Sequence, residues 1–234
     1  MSADLSPVYG YLKNPSMVDF DGHLAAVFFM TGCNFTCGFC HNAELMGKHR
    51  PGLPWPELDS ACRRFQDDWV TGAVISGGEP TLSAKLPELI RFLKHRGWAV
   101  KLDTNGSNPA MLRECLPLVD YVAMDVKTAP SHYHQLTGFP DTDRLHESVH
   151  LIKEHASDYE FRTTIIEDVH SDEHLDEISA LLQDSRRYIL QPFIPSPTLP
   201  QRRYHTHPRT SPGRMQAFAA RVAHCATEVR VRGT

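Results

Sequence analysis

Three cysteines, Cys33, Cys37 and Cys40, lie in the run Cys33-Asn34-Phe35-Thr36-Cys37-Gly38-Phe39-Cys40, a C-x3-C-x2-C spacing. Three thiolates this close can hold three corners of a cubane iron–sulfur cluster. Full protein ligation of a [4Fe–4S] cluster takes four cysteines, and the remaining Cys62, Cys115 and Cys225 are each isolated in the sequence. A three-cysteine site leaves one iron with an open coordination position, where chemistry can occur. The same thiols also fit a Cys3His zinc site, with His41 or His49 as fourth ligand. Phe35 and Phe39, set between the thiols, would shield the sulfurs and favour a cluster over an exposed zinc knuckle.

Four more segments carry residue types suited to chemistry. Gly77-Gly78-Glu79-Pro80 offers glycines that let backbone approach a ligand closely. Its Glu79 can accept charge-assisted hydrogen bonds from an ammonium group; the plainer reading is an ordinary turn. Leu102-Asp103-Thr104-Asn105-Gly106 contains Asn-Gly, a common turn pair, and Asp103 fits an Asx turn as well as a ligand contact. Asp125 and Lys127, two residues apart, face the same side of a strand. They suit a structural salt bridge, a zwitterion or a ribose equally. Arg162 is a charge inside the apolar run Tyr159–Ile166 and needs an acidic neighbour or a ligand.

The elements that must position these residues alternate. Apolar strand-like runs are expected at Ala25–Met30, Thr71–Ser76, Trp98–Asp103, Tyr121–Val126, Tyr159–Ile166 and Arg187–Pro192. Helical periods fall at Pro56–Asp67, Ala84–Arg96, Pro109–Leu116, Asp143–His155 and Asp172–Leu182. Six strand–helix units imply parallel strands with right-handed crossovers, hence a partial barrel or an open doubly wound sheet. In such folds ligands collect at the carboxyl ends of strands. The cysteine run, Gly77–Pro80, Asp103–Gly106, Asp125–Lys127 and Gln191 all fall there. Pro192–Pro212 holds six prolines and reads as an extended loop. A short helix, Pro212–Ala226, and an edge strand, Glu228–Arg232, would follow it.

A chain of 234 residues, 41% hydrophobic, suits one α/β domain with a substantial core. The net charge of −4 and the lack of any basic run of five or more residues argue against nucleic-acid or anionic-membrane partners. No secretory pattern opens the chain, and the longest apolar run, Leu24–Met30, is too short to span a bilayer. The sparse cysteines suit a reducing compartment, so a cytoplasmic location is expected. Trp55, Trp69 and Trp98 are expected in the core, as are Cys62, Cys115 and Cys225. Asp67-Asp68 is expected at a solvated helix end.

The cysteine loop after the first strand, followed by Gly-Gly-Glu-Pro after the second, resembles the radical S-adenosylmethionine (SAM) superfamily. Thr31–Phe35, Cys40-His41-Asn42, Ile75–Leu82, Lys101–Pro109 and Asp120–Lys127 are similar to glycyl-radical-enzyme activases, above all the activating proteins of anaerobic ribonucleoside-triphosphate reductases. The resemblance runs from about Tyr9 to Pro195. It implies an α/β fold, a single-domain partial (β/α)6 barrel of the radical SAM type: 1–22 an N-terminal strand and cap, 23–195 the core, 196–234 a C-terminal extension. It further implies that Cys33, Cys37 and Cys40 hold a [4Fe–4S] cluster whose fourth iron is chelated by SAM. Phe39 would lie near the adenine. Gly77, Gly78 and Glu79 would hold the methionine ammonium. Asp103, Asp125, Lys127 and Gln191 would line the rest of the SAM cleft. Asp103, Thr104 and Asp125 would border a monovalent cation, and Arg162 would engage the substrate. The implied partners are a glycyl radical enzyme, anaerobic ribonucleotide reductase, and a flavodoxin-like or ferredoxin-like electron donor. The chain lacks the additional cysteine sets of activases with ferredoxin-like clusters. The competing readings are a radical SAM enzyme acting on a small molecule, such as a 7-carboxy-7-deazaguanine synthase, and a zinc-binding interaction module.

Overall fold

The computed structural model describes residues 4–47 and 49–233. Its strands form one eight-stranded sheet in which spatial order follows chain order. β1 (Gly10–Tyr11) runs antiparallel to β2 (Ala25–Met30). From there every neighbouring pair is parallel, through β3 (Gly72–Gly77), β4 (Ala99–Thr104), β5 (Tyr121–Asp125), β6 (Tyr159–Ile165), β7 (Ser185–Pro192) and β8 (Ala226–Val231). The crossovers carry α1 (Trp55–Asp67), α2 (Leu86–Lys94), α3 (Pro109–Cys115), α4 (Tyr133–Thr137), α5 (Thr142–His155), α6 (Asp172–Leu181) and α7 (Pro212–Val222). Among the described residues β1 pairs only with β2 and β8 only with β7, so the barrel is partial. The six parallel strands expected from sequence are β2–β7. The helix and edge strand expected at the C-terminus form one further unit, and β8 is a seventh parallel strand.

Strand alternation splits the sheet into two unlike faces. Ala26, Phe28, Ile75, Leu102, Met124, Phe161 and Leu190 point outward into one continuous core with the apolar stripes of the helices, including Leu58, Leu89, Leu112, Ile152, Ile178 and Phe218. The inward face is apolar where the strands begin, with Ala25, Val27 and Val74 packed on Phe20. Farther along it becomes charged, through Lys101 and Asp103 on β4, Asp125 on β5, and Glu160 and Arg162 on β6. Helix starts follow local capping chemistry: Asn108, Asp141, Ser171 and Ser211 each accept a backbone N–H of the first turn. Cys62, Cys115 and Cys225 are fully buried, as expected.

Trp69 is a correction. It is 86% exposed, not core. α1 ends in a left-handed turn at Trp69, φ +62°, with the Val70 N–H returning to the Phe65 carbonyl. That geometry turns the indole outward while Val70 re-enters the core. No helix among the described residues is long and apolar enough to cross a membrane.

Candidate active site

The cysteine loop leaves the end of β2 and is rooted against the end of β3. The Gly78 N–H donates to the Met30 carbonyl at 2.9 Å, and the Glu79 N–H to the Gly32 carbonyl at 2.8 Å. A Cβ on Gly77 would stand 2.2 Å from the Met30 oxygen, and one on Gly78 2.2 Å from the Gly32 oxygen. Gly77 also has φ +124°. Both glycines are therefore required by the close approach of two strand ends, whatever else binds there. Farther along the loop, the Thr36 N–H donates to the Thr137 carbonyl at 2.7 Å. The Phe35 ring packs 5.0 Å from Phe139 and 5.9 Å from Tyr133, centroid to centroid. α4 and the residues just after it thus support the loop, a role nothing in its sequence pattern announced.

Burial pushes the Cys33 thiol up to about 11 and Cys37 up to about 12, and raises Cys40. Lys127 is the cation whose field opposes that rise at all three. The three thiols share one cavity of about 830 Å³, its open mouth included. The opposite wall is built from strand ends: Ser76, Gly77 and Gly78 from β3, Asp103, Thr104 and Asn105 from β4, then Asp125, Lys127, Arg162 and Thr164. This is the placement of a ligand site in a parallel α/β fold.

A ladder of alternating charges crosses that wall. Lys127 Nζ donates to Asp125 Oδ2 at 2.8 Å, and Arg162 Nε donates to Asp125 Oδ1 at 2.8 Å. Arg162 Nη1 reaches Asp103 Oδ1 at 3.4 Å. Deeper in the barrel Lys101 lies between Asp103 (3.8 Å) and Glu160 (3.9 Å), and Arg232 closes on Glu160 at 2.9 Å. Burial alone would raise the Asp125 carboxyl, but Arg162 and Lys127 outweigh it and hold it well below the usual carboxylate range. The acidic neighbours that Arg162 demanded are therefore Asp125 and Asp103. The carboxylates suggested for a monovalent cation are the same two, and the guanidinium already lies against both.

Glu79 is 1% exposed and is not among the cavity-lining residues. Immediately after it the chain turns into a short 3-10 helix, Pro80–Leu82, which folds Thr81 back onto the carboxylate. Glu79 accepts from the Thr81 N–H at 3.1 Å and from the Thr81 hydroxyl. It also accepts from Thr104 Oγ1 at 2.7 Å and from the Asn105 N–H at 2.6 Å. Burial raises its pKa and these donors oppose the rise. Its carboxylate welds the end of β3 to the end of β4 from behind the cavity wall. Asn105 carries the tie onward, donating from Nδ2 to Asn34 Oδ1 at 3.2 Å and lying 3.8 Å from Cys33 Sγ. Ser107 Oγ also donates to Asn34 Oδ1, at 3.1 Å.

The structure thus brings Cys33, Cys37, Cys40, Phe39, Gly77, Gly78, Asp103, Asp125, Lys127 and Arg162 to one cavity. Gln191, half-buried on β7, sits beside Thr164 in the strand register but is not among the lining residues. Sequence reasoning missed Asn34, Ser107 and His170. His170, fully buried, takes the Ile166 N–H on Nδ1 at 3.0 Å and places Nε2 3.0 Å from the Lys127 carbonyl. It fixes the strand end that carries Lys127. The Asn105–Ser107 turn chemistry signalled Asn34's partners; a lone histidine in a loop gave no signal.

The family model of the radical SAM superfamily matches residues 27–184. The chain belongs to the radical SAM superfamily. It is 33% identical over 188 residues to a protein of Methanocaldococcus jannaschii provisionally named a glycyl-radical enzyme activating enzyme, with 77% of each chain covered. It is 35% identical over 105 residues to the 7-carboxy-7-deazaguanine synthase of Neisseria meningitidis serogroup B, covering 44% of each chain. Among solved structures, Streptococcus suis SuiB bound to its precursor peptide SuiA aligns with a TM-score of 0.69 at 17% identity, over 88% of this chain and 48% of SuiB. That likeness is one of fold, and the chain spans about half the length of SuiB.

Membership in the radical SAM superfamily makes the chain an enzyme and implies a [4Fe–4S] cluster and SAM. The residues present fit both. Three thiols, Cys37 buried and Cys33 and Cys40 half-buried, open on one cavity with a lysine ammonium in reach of their field, and iron would supply the positive charge that makes them thiolates. Among the described residues, no group of three or more His, Cys, Asp or Glu side chains is gathered on a single-ion site. The opposite wall offers both charge signs, as a zwitterionic nucleoside requires.

Proposed function

We propose that this protein is a radical SAM activase that cleaves SAM reductively at a [4Fe–4S] cluster and abstracts hydrogen from a backbone glycine of a glycyl radical enzyme. The observation that carries the reading is the convergence of Cys33, Cys37 and Cys40 with both charge signs on one cavity at the strand ends. The match to the Methanocaldococcus jannaschii protein over three quarters of both chains supports the activase over other radical SAM chemistry.

The chain's own residues have separable tasks. Cys33, Cys37 and Cys40 hold the cluster, which with SAM supplies the carbon–sulfur cleavage and the carbon radical that removes hydrogen. Gly77 and Gly78 present backbone at the wall where the methionine ammonium is held, with Glu79 fixing that backbone from behind. Asp103, Asp125 and Lys127 orient the nucleoside, Phe39 lies at its adenine, and Gln191 stands at the margin. Arg162 keeps Asp125 ionised and reaches across to Asp103. A carbon radical must meet its target at contact distance, and the partial barrel leaves the cavity mouth open to a partner's glycine loop. The Asp103–Pro109 string favours an activase over a small-molecule enzyme, and the resemblance of the motifs taken together points to anaerobic ribonucleotide reductase as the partner, with a flavodoxin-like or ferredoxin-like protein as electron donor.

The Neisseria meningitidis match favours a second reading, 7-carboxy-7-deazaguanine synthesis. Incubation of the reduced, reconstituted enzyme with SAM and an anaerobic ribonucleotide reductase separates the two. The activase yields a glycyl radical by electron paramagnetic resonance, in amounts dependent on both proteins. Multiple turnovers on a small-molecule substrate, with no glycyl radical, would establish the second.

A further inference from the structure

The proline-rich stretch after β7 does not simply cross the surface. It returns to the cysteine loop. The Gln201 N–H donates to the Gly38 carbonyl at 3.0 Å. A Cβ on Gly38 would stand 2.2 Å from the Gln201 side chain, so that side chain fills the space a larger residue at position 38 would need. Three residues later Tyr204, 1% exposed, sets its ring edge-on to Phe39 at 6.0 Å. Gly38 and Phe39 are the two residues between Cys37 and Cys40.

The stretch is itself anchored. The Phe193 N–H donates to the Ile165 carbonyl at 2.9 Å, which the Thr210 hydroxyl also reaches. Fully buried Phe193 packs 5.6 Å from Tyr204, and His205 Nε2 lies 2.8 Å from the Leu199 carbonyl. The loop is therefore gripped on two sides: α4 and Phe139 hold Phe35 and Thr36, and the 193–207 stretch holds Gly38 and Phe39. The second grip comes from some 160 residues away in sequence and lies wholly beyond the stretch matched by the family model.

Taking Cys33, Cys37 and Cys40 as cluster ligands, we propose that residues 193–207 form a clamp that seats the cluster loop, with Gln201 and Tyr204 as positioning residues for the Cys37–Cys40 turn. The Gln201 side chain packs over Gly38 and, together with the Gln201 N–H that an alanine there would keep, fixes the backbone of that turn. Tyr204 supports Phe39 and keeps water from the sulfur side of the loop. The clamp acts on iron retention and does not touch the reacting atoms.

The test is anaerobic iron release. Reconstituted wild-type protein and the variants Tyr204→Ala, Tyr204→Phe, Gln201→Ala and Phe218→Ala are mixed with a ferrous chelator, and the rate of iron loss is followed by absorbance. Phe218 is buried in α7, away from the cysteine loop, and controls for lost stability. Supporting partners of metal ligands are typically worth 10- to 100-fold in affinity. Tyr204→Ala should release iron about 10-fold faster or more, and Gln201→Ala several-fold faster. Tyr204→Phe and Phe218→Ala should hold it at about the wild-type rate. Gln201 is exposed, so its variant folds and decides the matter if Tyr204→Ala does not. Equal acceleration in Phe218→Ala and Tyr204→Ala, or wild-type release in both Gln201→Ala and Tyr204→Ala, would overturn the clamp alone. A wild-type chain that never binds iron would overturn the cysteine assignment and the clamp with it.

Discussion

Acid should weaken this fold through one buried imidazole. His170 is fully buried, with its Nδ1 taking the Ile166 N–H and its Nε2 facing the Lys127 carbonyl. The tautomer protonated on Nε2 satisfies both contacts. A second proton would place Nδ1–H against a backbone N–H. Burial lowers the pKa of His170 from 6.5 to about 4; the Lys127 carbonyl at Nε2 and the Ile166 carbonyl, 3.2 Å from Nδ1, oppose that fall, and His174 and His132 add to it. A folded pKa below the unfolded one means the unfolded chain binds the extra proton first. Stability therefore falls as pH drops through 6.5, and goes on falling until the folded state also protonates near 4. That interval spans about 2.5 pH units at roughly 1.4 kcal/mol each, or about 3 kcal/mol in all. Urea denaturation of wild type and His170→Gln at pH 7.5, 6.0 and 4.5 isolates the effect, because every other side chain is common to both proteins. The two stabilities should converge as pH falls, by about 2.5 kcal/mol between pH 7.5 and 4.5. Parallel profiles would refute the reasoning, since they would mean His170 protonates equally in both states.

Three further outcomes follow from the site. Asp125→Asn leaves the Lys127 ammonium and Arg162 guanidinium facing each other across a neutral amide; a loss on the order of 3 kcal/mol in urea denaturation is expected, with weaker SAM binding by calorimetry. Gly78→Ala drives a methyl group into the Gly32 carbonyl at the loop root, so a loss of about 1–3 kcal/mol should come with a lower yield of bound iron. Glu79→Gln puts an amide donor against the donors of Thr81, Thr104 and Asn105. A loss of about 1–3 kcal/mol is expected, with the visible spectrum of the reconstituted cluster retained.

Much of the site was legible in the sequence because it is built from strand ends. A parallel sheet places the residue after each strand on one rim, so the run of motifs after β2, β3, β4 and β5 had to converge. The charge on β6 likewise had to find acids on its neighbours, and Arg162 does. What the sequence did not reveal depends on contacts made far along the chain or on backbone geometry. Glu79 read as a ligand for an ammonium group; its donors within the fold, Thr81 from the 3-10 turn that begins at the next residue and Thr104 and Asn105 at the end of β4, were not legible. The glycines before it read as room for a ligand, whereas the neighbouring backbone of Met30 and Gly32 already requires them. Trp69 read as core, and a left-handed residue at the end of α1 reversed its direction. The stretch from Pro192 to Pro212 was legible as extended; its seat on Gly38 and Phe39 was not, because no local pattern encodes a contact across that separation.

The central claim is that Cys33, Cys37 and Cys40 alone carry a cubane cluster that cleaves SAM. Anaerobic reconstitution with iron and sulfide, followed by iron analysis and SAM cleavage under reduction, tests it directly in wild type, Cys37→Ala and Cys62→Ala. Wild type and Cys62→Ala should each hold about four irons per chain, the content of a [4Fe–4S] cluster, and release methionine from SAM, whereas Cys37→Ala does neither. Stoichiometric zinc without SAM cleavage, or equal iron loss in both cysteine variants, would contradict it.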